Sequence, residues 1–255
     1  MTFGPVIAAL ALPDNVRVDQ RVPKKLMLEQ GAPTAADKRV IQDGIEELFW
    51  VAALKPTNAG VPEFRDEVRE YLEIAVLTAA FRGDAKASRL AELIHRAIPY
   101  PLVLFAAQNE GVTLSLAHKR WSQGEGGKVV IEDLRCTVPF HPDSPKPVEV
   151  AFLGSLAVAR LPKGDLYALY QGWLDRVAAL EAARITGSFA LPDAGSGGSA
   201  LREGLDEHNR IERELVVLRA RAKKEKQINR RVELNVKIKR LDCELSALAG
   251  RMAKT

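Results

Sequence analysis

LVLFAAQNEGVTLSLAHKRW, residues 102–121, has the pattern of a β-hairpin. Leu102 to Ala107 is an unbroken apolar run of strand length, and Asn109, Glu110 and Gly111 supply a short turn. Val112, Leu114 and Leu116 then alternate with Thr113 and Ser115, the period of two expected of a half-buried partner strand. A longer glycine-rich turn (Gly124, Gly126, Gly127) leads to a third strand, Lys128 to Val138. Because that glycine string precedes a strand and not a helix, it is a poor phosphate cradle.

Upstream, Asp84 can cap a helix whose apolar stripe is Leu90, Leu93, Ile94 and Ala97 and which Pro99 stops. Before it, Val68, Leu72, Ile74 and Val76 alternate with Tyr71, Ala75 and Leu77, so both faces are apolar and a central, doubly covered strand is expected. Thr34 and Asp37 form a helix N-terminal signature behind Pro33. Ile41, Ile45, Leu48, Phe49 and Ala52 then recur at helical spacing, which predicts one helix through that run. Residues 13–33 read as an extended lead-in. Helix, strand, helix and three consecutive strands imply an α+β fold with an antiparallel or mixed sheet backed by helices. Prolines 139, 142, 145 and 147 make a stiff crossing. Helical segments are expected at 148–160 and 165–184, the second with Leu166, Leu169, Tyr170, Trp173, Val177 and Leu180 on its apolar face.

Three regions follow: an α+β domain at 1–185, a flexible linker at 186–200 rich in glycine and serine, and a basic helical tail at 201–255. The chain's net charge of +4 belongs to that tail, which carries +6 against −2 for residues 1–200. From Arg219 to Arg240 there are ten cations (Arg219, Arg221, Lys223, Lys224, Lys226, Arg230, Arg231, Lys237, Lys239, Arg240) and two acids, Glu225 and Glu233. Ile211, Leu215, Leu218 and Ala222 form one apolar seam, and Leu234, Ile238, Leu241, Leu245, Leu248 and Met252 another, offset by about two residues. That slip implies either one long helix with a rotating seam or a helical hairpin, so the tail is expected to be a basic coiled coil or a helical hairpin, and Asn229 falls at a core position of the first frame. A block of +8 repels itself unless phosphates or an acidic partner neutralise it. The tail has no aromatic residue, which argues against base stacking.

Two cysteines, Cys136 and Cys243, are too few for a disulfide framework or a cysteine zinc site, so a reducing cytoplasm is expected. The apolar run Val6–Leu12 is too short to span a bilayer and has no basic residue before it. His95, His118, His141 and His208 are scattered without metal-ligand spacing, so no metal, cofactor or catalytic set is expected. For a metal-dependent nuclease, Glu70, Glu73, Glu110 and Lys119 are the only raw material. Glu70 and Glu73 would face opposite sides of a strand, and Glu110 stands too far from Lys119 for a tight acid–x–lysine set.

The strings VDQRVPKK (18–25), LKPTNAGVP (54–62), IPYPLVLF (98–105), LAHKRW (116–121) and KKEKQINRRVELNVKIKRL (223–241) resemble an uncharacterised bacterial family, a domain of unknown function. Its members are commonly encoded beside DNA methyltransferases and helicases in restriction-modification or anti-phage defence loci. The resemblance spans nearly the whole chain, and the last string is its most specific part. It implies context and no activity: a non-catalytic accessory subunit, adaptor or DNA-engaging, whose partners are methyltransferase or helicase subunits or duplex DNA, with no membrane. The alternatives are a nuclease of the same kind of system, or a coiled-coil scaffold that forms homo-oligomers through Leu234, Ile238, Leu241, Leu245 and Leu248.

Overall fold

In chain order the elements are α1 (Gly4–Ala9), β1 (Arg17–Arg21), α2 (Lys24–Gln30), α3 (Ala35–Gly44), β2 (Ile45–Leu54), α4 (Pro56–Ala59), β3 (Phe64–Arg65), β4 (Glu70–Tyr71), β5 (Ile74–Phe81), α5 (Ala87–Ala97), β6 (Leu102–Gln108), β7 (Gly111–Trp121), β8 (Val129–Cys136), α6 (Pro147–Ser155), α7 (Leu166–Thr186), α8 (Gly197–Lys224) and α9 (Ile228–Met252). The computed structural model describes residues 3–124, 129–192 and 197–253. Two compact units result, Met1–Val177 and Ala178–Thr255, with the division inside α7.

In the first unit a six-stranded mixed sheet has the order β1-β2-β5-β6-β7-β8, and β3 and β4 pair separately. The hairpin expected at 102–121 is present, Gln108 facing Gly111 across its turn. Of the glycine-rich turn, Gly126, Gly127 and Lys128 lie outside the described residues. Among the described strand pairs only β5 and β6 are parallel, and a parallel pair needs a crossover, which α5 supplies. The central strand begins at Ile74, later than its apolar run suggests. Val68 is exposed, and Tyr71 belongs to the small sheet.

The predicted helix through Ala52 stops at Gly44, and the chain continues as β2. Register shifts between Ile45 and Glu47 and between Trp50 and Ala52 place the buried residues Ile45, Leu48 and Val51 three apart, which mimics a helical stripe. Gly44 marks the break for a steric reason, since a Cβ there would lie 2.8 Å from Leu90 Cδ1 of α5. The start of α3 is as expected: the Thr34 hydroxyl accepts from the Asp37 backbone N–H at 3.1 Å. Asp37 also takes two N–H bonds from Arg89, at 2.9 and 2.7 Å, tying α3 to α5. Asp84 does not cap α5; Lys86 holds that position, without a side-chain bond.

One sheet face is sealed by α2, α3 and α5 through Met27, Ile41, Leu90 and Ile94 against Leu48 and Leu77. On the other, the Tyr170 hydroxyl of α7 donates to the Leu102 carbonyl and accepts from the Ala117 N–H, both at 2.8 Å, bridging β6 and β7. Trp173, fully buried, donates to the Leu156 carbonyl at 3.0 Å.

In the second unit α8 and α9 run antiparallel, joined by Glu225–Gln227. Ile211 and Leu215 pack on Leu248 with Ile238, Leu241 and Leu245 partly covered, and Leu201 and Leu205 pack with Met252. The slip between the two seams is thus the turn between two helices. Asn229 is exposed in the first turn of α9, not in a core. Residues 193–196 of the expected linker lie outside the described residues. No helix among the described residues is long and apolar enough to cross a membrane.

Candidate functional site: a basic helical turn and a buried lysine

In the second unit, Arg219 at the end of α8 pairs with Asp242 of α9 at 2.8 Å. Every residue between them lies on the turn side of that pair. All ten cations from Arg219 to Arg240 are exposed, and none besides Arg219 has an ion pair among the described residues. A concavity of about 430 Å³ at the turn is lined by Arg221, Lys224, Arg230 and Lys237 with Glu225, Glu233 and Leu234. Arg221, Lys223 and Lys224 close α8, where cations suit the helix dipole. Arg230 and Arg231 open α9, whose first turn holds no acid, and there cations oppose it. Helix stability therefore does not explain the second pair.

Of the predicted seam, Leu248 is buried, whereas Leu234, Ile238, Leu241 and Leu245 are half-buried. A further apolar stripe, absent from the sequence reading, comprises Ile228, Val232 and Val236, at 67, 55 and 64% exposure. Spaced by four, these residues drift along the side of α9 turned away from Leu234, Leu241 and Leu245.

In the first unit a cavity of about 210 Å³ opens where β7 ends, lined by Arg69, Glu70, Leu72, Pro99, Tyr100, Pro101, Lys119, Arg120, Trp121 and Val129. Lys119 is its unusual wall. Alternation along β7 puts Ser115, Ala117 and Lys119 on the α5 side of the sheet. There the Lys119 ammonium, 4% exposed, donates to the carbonyls of Ile98 and Tyr100. No carboxylate pairs with it among the described residues, and burial lowers its pKa to about 7. His95 on α5 shares its Nε2 with the Ser115 hydroxyl at 3.0 Å, and its Nδ1 is buried without a partner. Burial first, then the charge of Lys119, holds His95 well below the usual imidazole range.

On the opposite face of β7, His118 sits between Tyr71 and Gln171. Gln171 gives its N–H to Asp175 at 2.8 Å, so its oxygen faces His118 Nε2, also at 2.8 Å. Nε2 then carries the proton, and Nδ1 accepts from the Tyr71 hydroxyl. Tyr71 is fully buried, and burial raises its pKa far above the ordinary phenol range, so this chain of bonds braces the sheet against α7. Tyr167 stacks on His118 and Phe64, and the Arg69 guanidinium lies 5.5 Å from its ring centroid.

The four nuclease candidates are dispersed. Glu70 lines the cavity and pairs with Arg65 at 2.9 Å; Glu73 pairs with Lys55 at 3.1 Å; Glu110 sits in the turn at the far end of β7 from Lys119. Of the histidines, only His95 and His118 come near Lys119, from opposite sheet faces. Among the described residues no three His, Cys, Asp or Glu side chains are grouped to hold a metal ion.

The family model described as a domain of unknown function (DUF4391) matches residues 10–245, and the chain belongs to that family. No curated protein and no solved structure matches it.

Proposed function

We propose that the chain is a non-catalytic accessory subunit, an adaptor that docks an acidic partner surface through the turn end of α8 and α9. The observation that supports this is the mixture on that surface: Ile228, Val232 and Val236 are exposed among ten exposed cations. Phosphate contact has no use for a branched apolar stripe, whereas a protein interface buries such a stripe at its core and sets charges around it. The resemblance to a family encoded beside methyltransferases and helicases makes those subunits of a restriction-modification or anti-phage defence system the expected partners.

Tagged full-length protein, expressed at native level in its host, should co-purify a methyltransferase or helicase subunit. Replacing Lys223, Lys224, Arg230 and Arg231 with glutamine should weaken capture and its salt dependence, and Val232→Glu should abolish capture with the fold intact. Duplex DNA is the competing partner, tested by gel shift at two salt concentrations. If wild type binds duplex with a log-affinity slope of about 0.9 per phosphate contact, and Val232→Glu leaves that binding unchanged, the DNA-engaging form replaces the adaptor. If neither partner is bound, the turn is a solvated surface and the proposal fails.

A further inference from the structure

We infer that the cavity at the end of β7 is a binding site for a small organic anion, with a carboxylate or phosphate head and a flat apolar body. The Lys119 ammonium group has three N–H donors and one charge. The Ile98 and Tyr100 carbonyls take two donors and neutralise no charge. Buried lysines are normally paired, and this one has no acid partner among the described residues. Lys119 itself lines the cavity, together with Pro99, Pro101 and Tyr100, whose carbonyl holds its ammonium.

The other charged walls leave the same imbalance. Arg69 pairs with Glu132 at 3.2 Å, and Arg120 approaches the same carboxylate at 3.9 Å, so two guanidinium groups share one acid. Glu70, the only acid among the described residues of the wall, is engaged by Arg65. A single anion entering the cavity would meet Lys119, Arg69 and Arg120 and supply the missing charge. Tyr100, Trp121, Pro99 and Pro101 give the remainder of the wall flat, apolar surface suited to a planar body. The 210 Å³ corresponds to about seven waters at about 30 Å³ each, room for a single-ring molecule and not for a polymer. Nothing in this inference depends on the adaptor role of α8 and α9.

The test uses full-length protein and four matched probes: benzoate, phenyl phosphate, neutral benzyl alcohol and inorganic phosphate, titrated calorimetrically at millimolar concentration. Phenyl phosphate or benzoate should bind, benzyl alcohol should bind roughly tenfold or more weakly for want of the charge, and inorganic phosphate should be weaker for want of the ring. Which of the two acids binds identifies the head group. Benzoate stays anionic from pH 6 to pH 8.5, so any loss of its affinity over that range reports Lys119. The titratable and charged groups around Lys119 are His95 on α5, which burial keeps neutral there, and Arg69, Glu70, Tyr100 and Arg120 in the cavity wall. Lys119→Met should lose anion binding and its pH dependence while remaining folded, and Lys119→Arg should retain part of the affinity. Equal binding of the neutral and anionic probes, unchanged binding by Lys119→Met, or no binding of any probe would each overturn the inference. Inorganic phosphate binding as tightly as phenyl phosphate would remove the planar body from it.

Discussion

Lys119 in the first unit is 4% exposed, has no acid partner among the described residues and is held by two carbonyls, whereas the ten cations between Arg219 and Arg240 in the second are all exposed and one of them has an ion pair among those residues. The same kind of charge is thus kept in opposite surroundings. A lone buried cation is costly by itself, through lost hydration, and it answers to pH because deprotonation relieves that cost. Clustered surface cations are each cheap, and their collective repulsion answers to salt. The first unit should therefore be sensitive to pH at one residue, and the second to ionic strength over many.

The change that would do most to break this contrast is Lys119→Met. With a folded pKa of about 7 against 10.5 when unfolded, Lys119 binds fewer protons in the folded than in the unfolded chain between those values. Stability from this group therefore rises as pH climbs from 7 to 10.5 and is flat below 7, where the full penalty of up to about 5 kcal/mol applies. Methionine should stabilise the protein at pH 7 by a few kcal/mol less than that ceiling allows, with the gain shrinking toward pH 10. Urea denaturation at the two pH values checks it. A variant less stable than wild type at both would mean that Lys119 is neutralised in a way its surroundings do not reveal.

A second test sharpens the contrast from the apolar side of the second unit. Leu215 is 2% exposed between the two helices, so Leu215→Ala should cost about 2–4 kcal/mol. Leu241 is half-buried, and an aspartate there can reach water, so Leu241→Asp should cost only about 1–2 kcal/mol. Equal losses, read from thermal unfolding, would mean that the α9 seam is covered in solution, by a second copy or another partner.

The hairpin at 102–121, the Thr34 cap and the two tail seams were legible because each is a local signal: a period, a turn, a capping pair. β2 was misread because its register shifts space Ile45, Leu48 and Val51 like a helix, and a bulge leaves no mark in a single strand's sequence. β1 was missed because RVDQR at the sheet edge has no apolar face to betray a period. The basic block was plain from counting. The cavity was not, because Arg69 before β4, Tyr100 before β6 and Lys119 in β7 are brought together by the tertiary fold and by no spacing. One clue was available: Lys119 continues the period of Ser115 and Ala117, a lysine placed where a buried strand should stay apolar.

The smallest expected effect concerns the stability of the basic turn, separate from what it binds. Lys223 and Lys224 sit in the last turn of α8 and favour its dipole, whereas Arg230 and Arg231 sit in the first turn of α9 and oppose it. Glutamine at the first pair should lose a few tenths of a kcal/mol, and at the second should gain as much. Together the dipole effects cancel, leaving only relief of mutual repulsion: a rise below about 1 kcal/mol at low salt that vanishes near 1 M, where screening acts over about 3 Å. Thermal unfolding of the two double variants and the quadruple variant, at both salt concentrations, separates these contributions. Equal losses from both double variants would show that Arg230 and Arg231 stabilise α9 after all. The turn's charge would then belong to the fold, and the contrast with Lys119 would narrow to a difference of exposure alone.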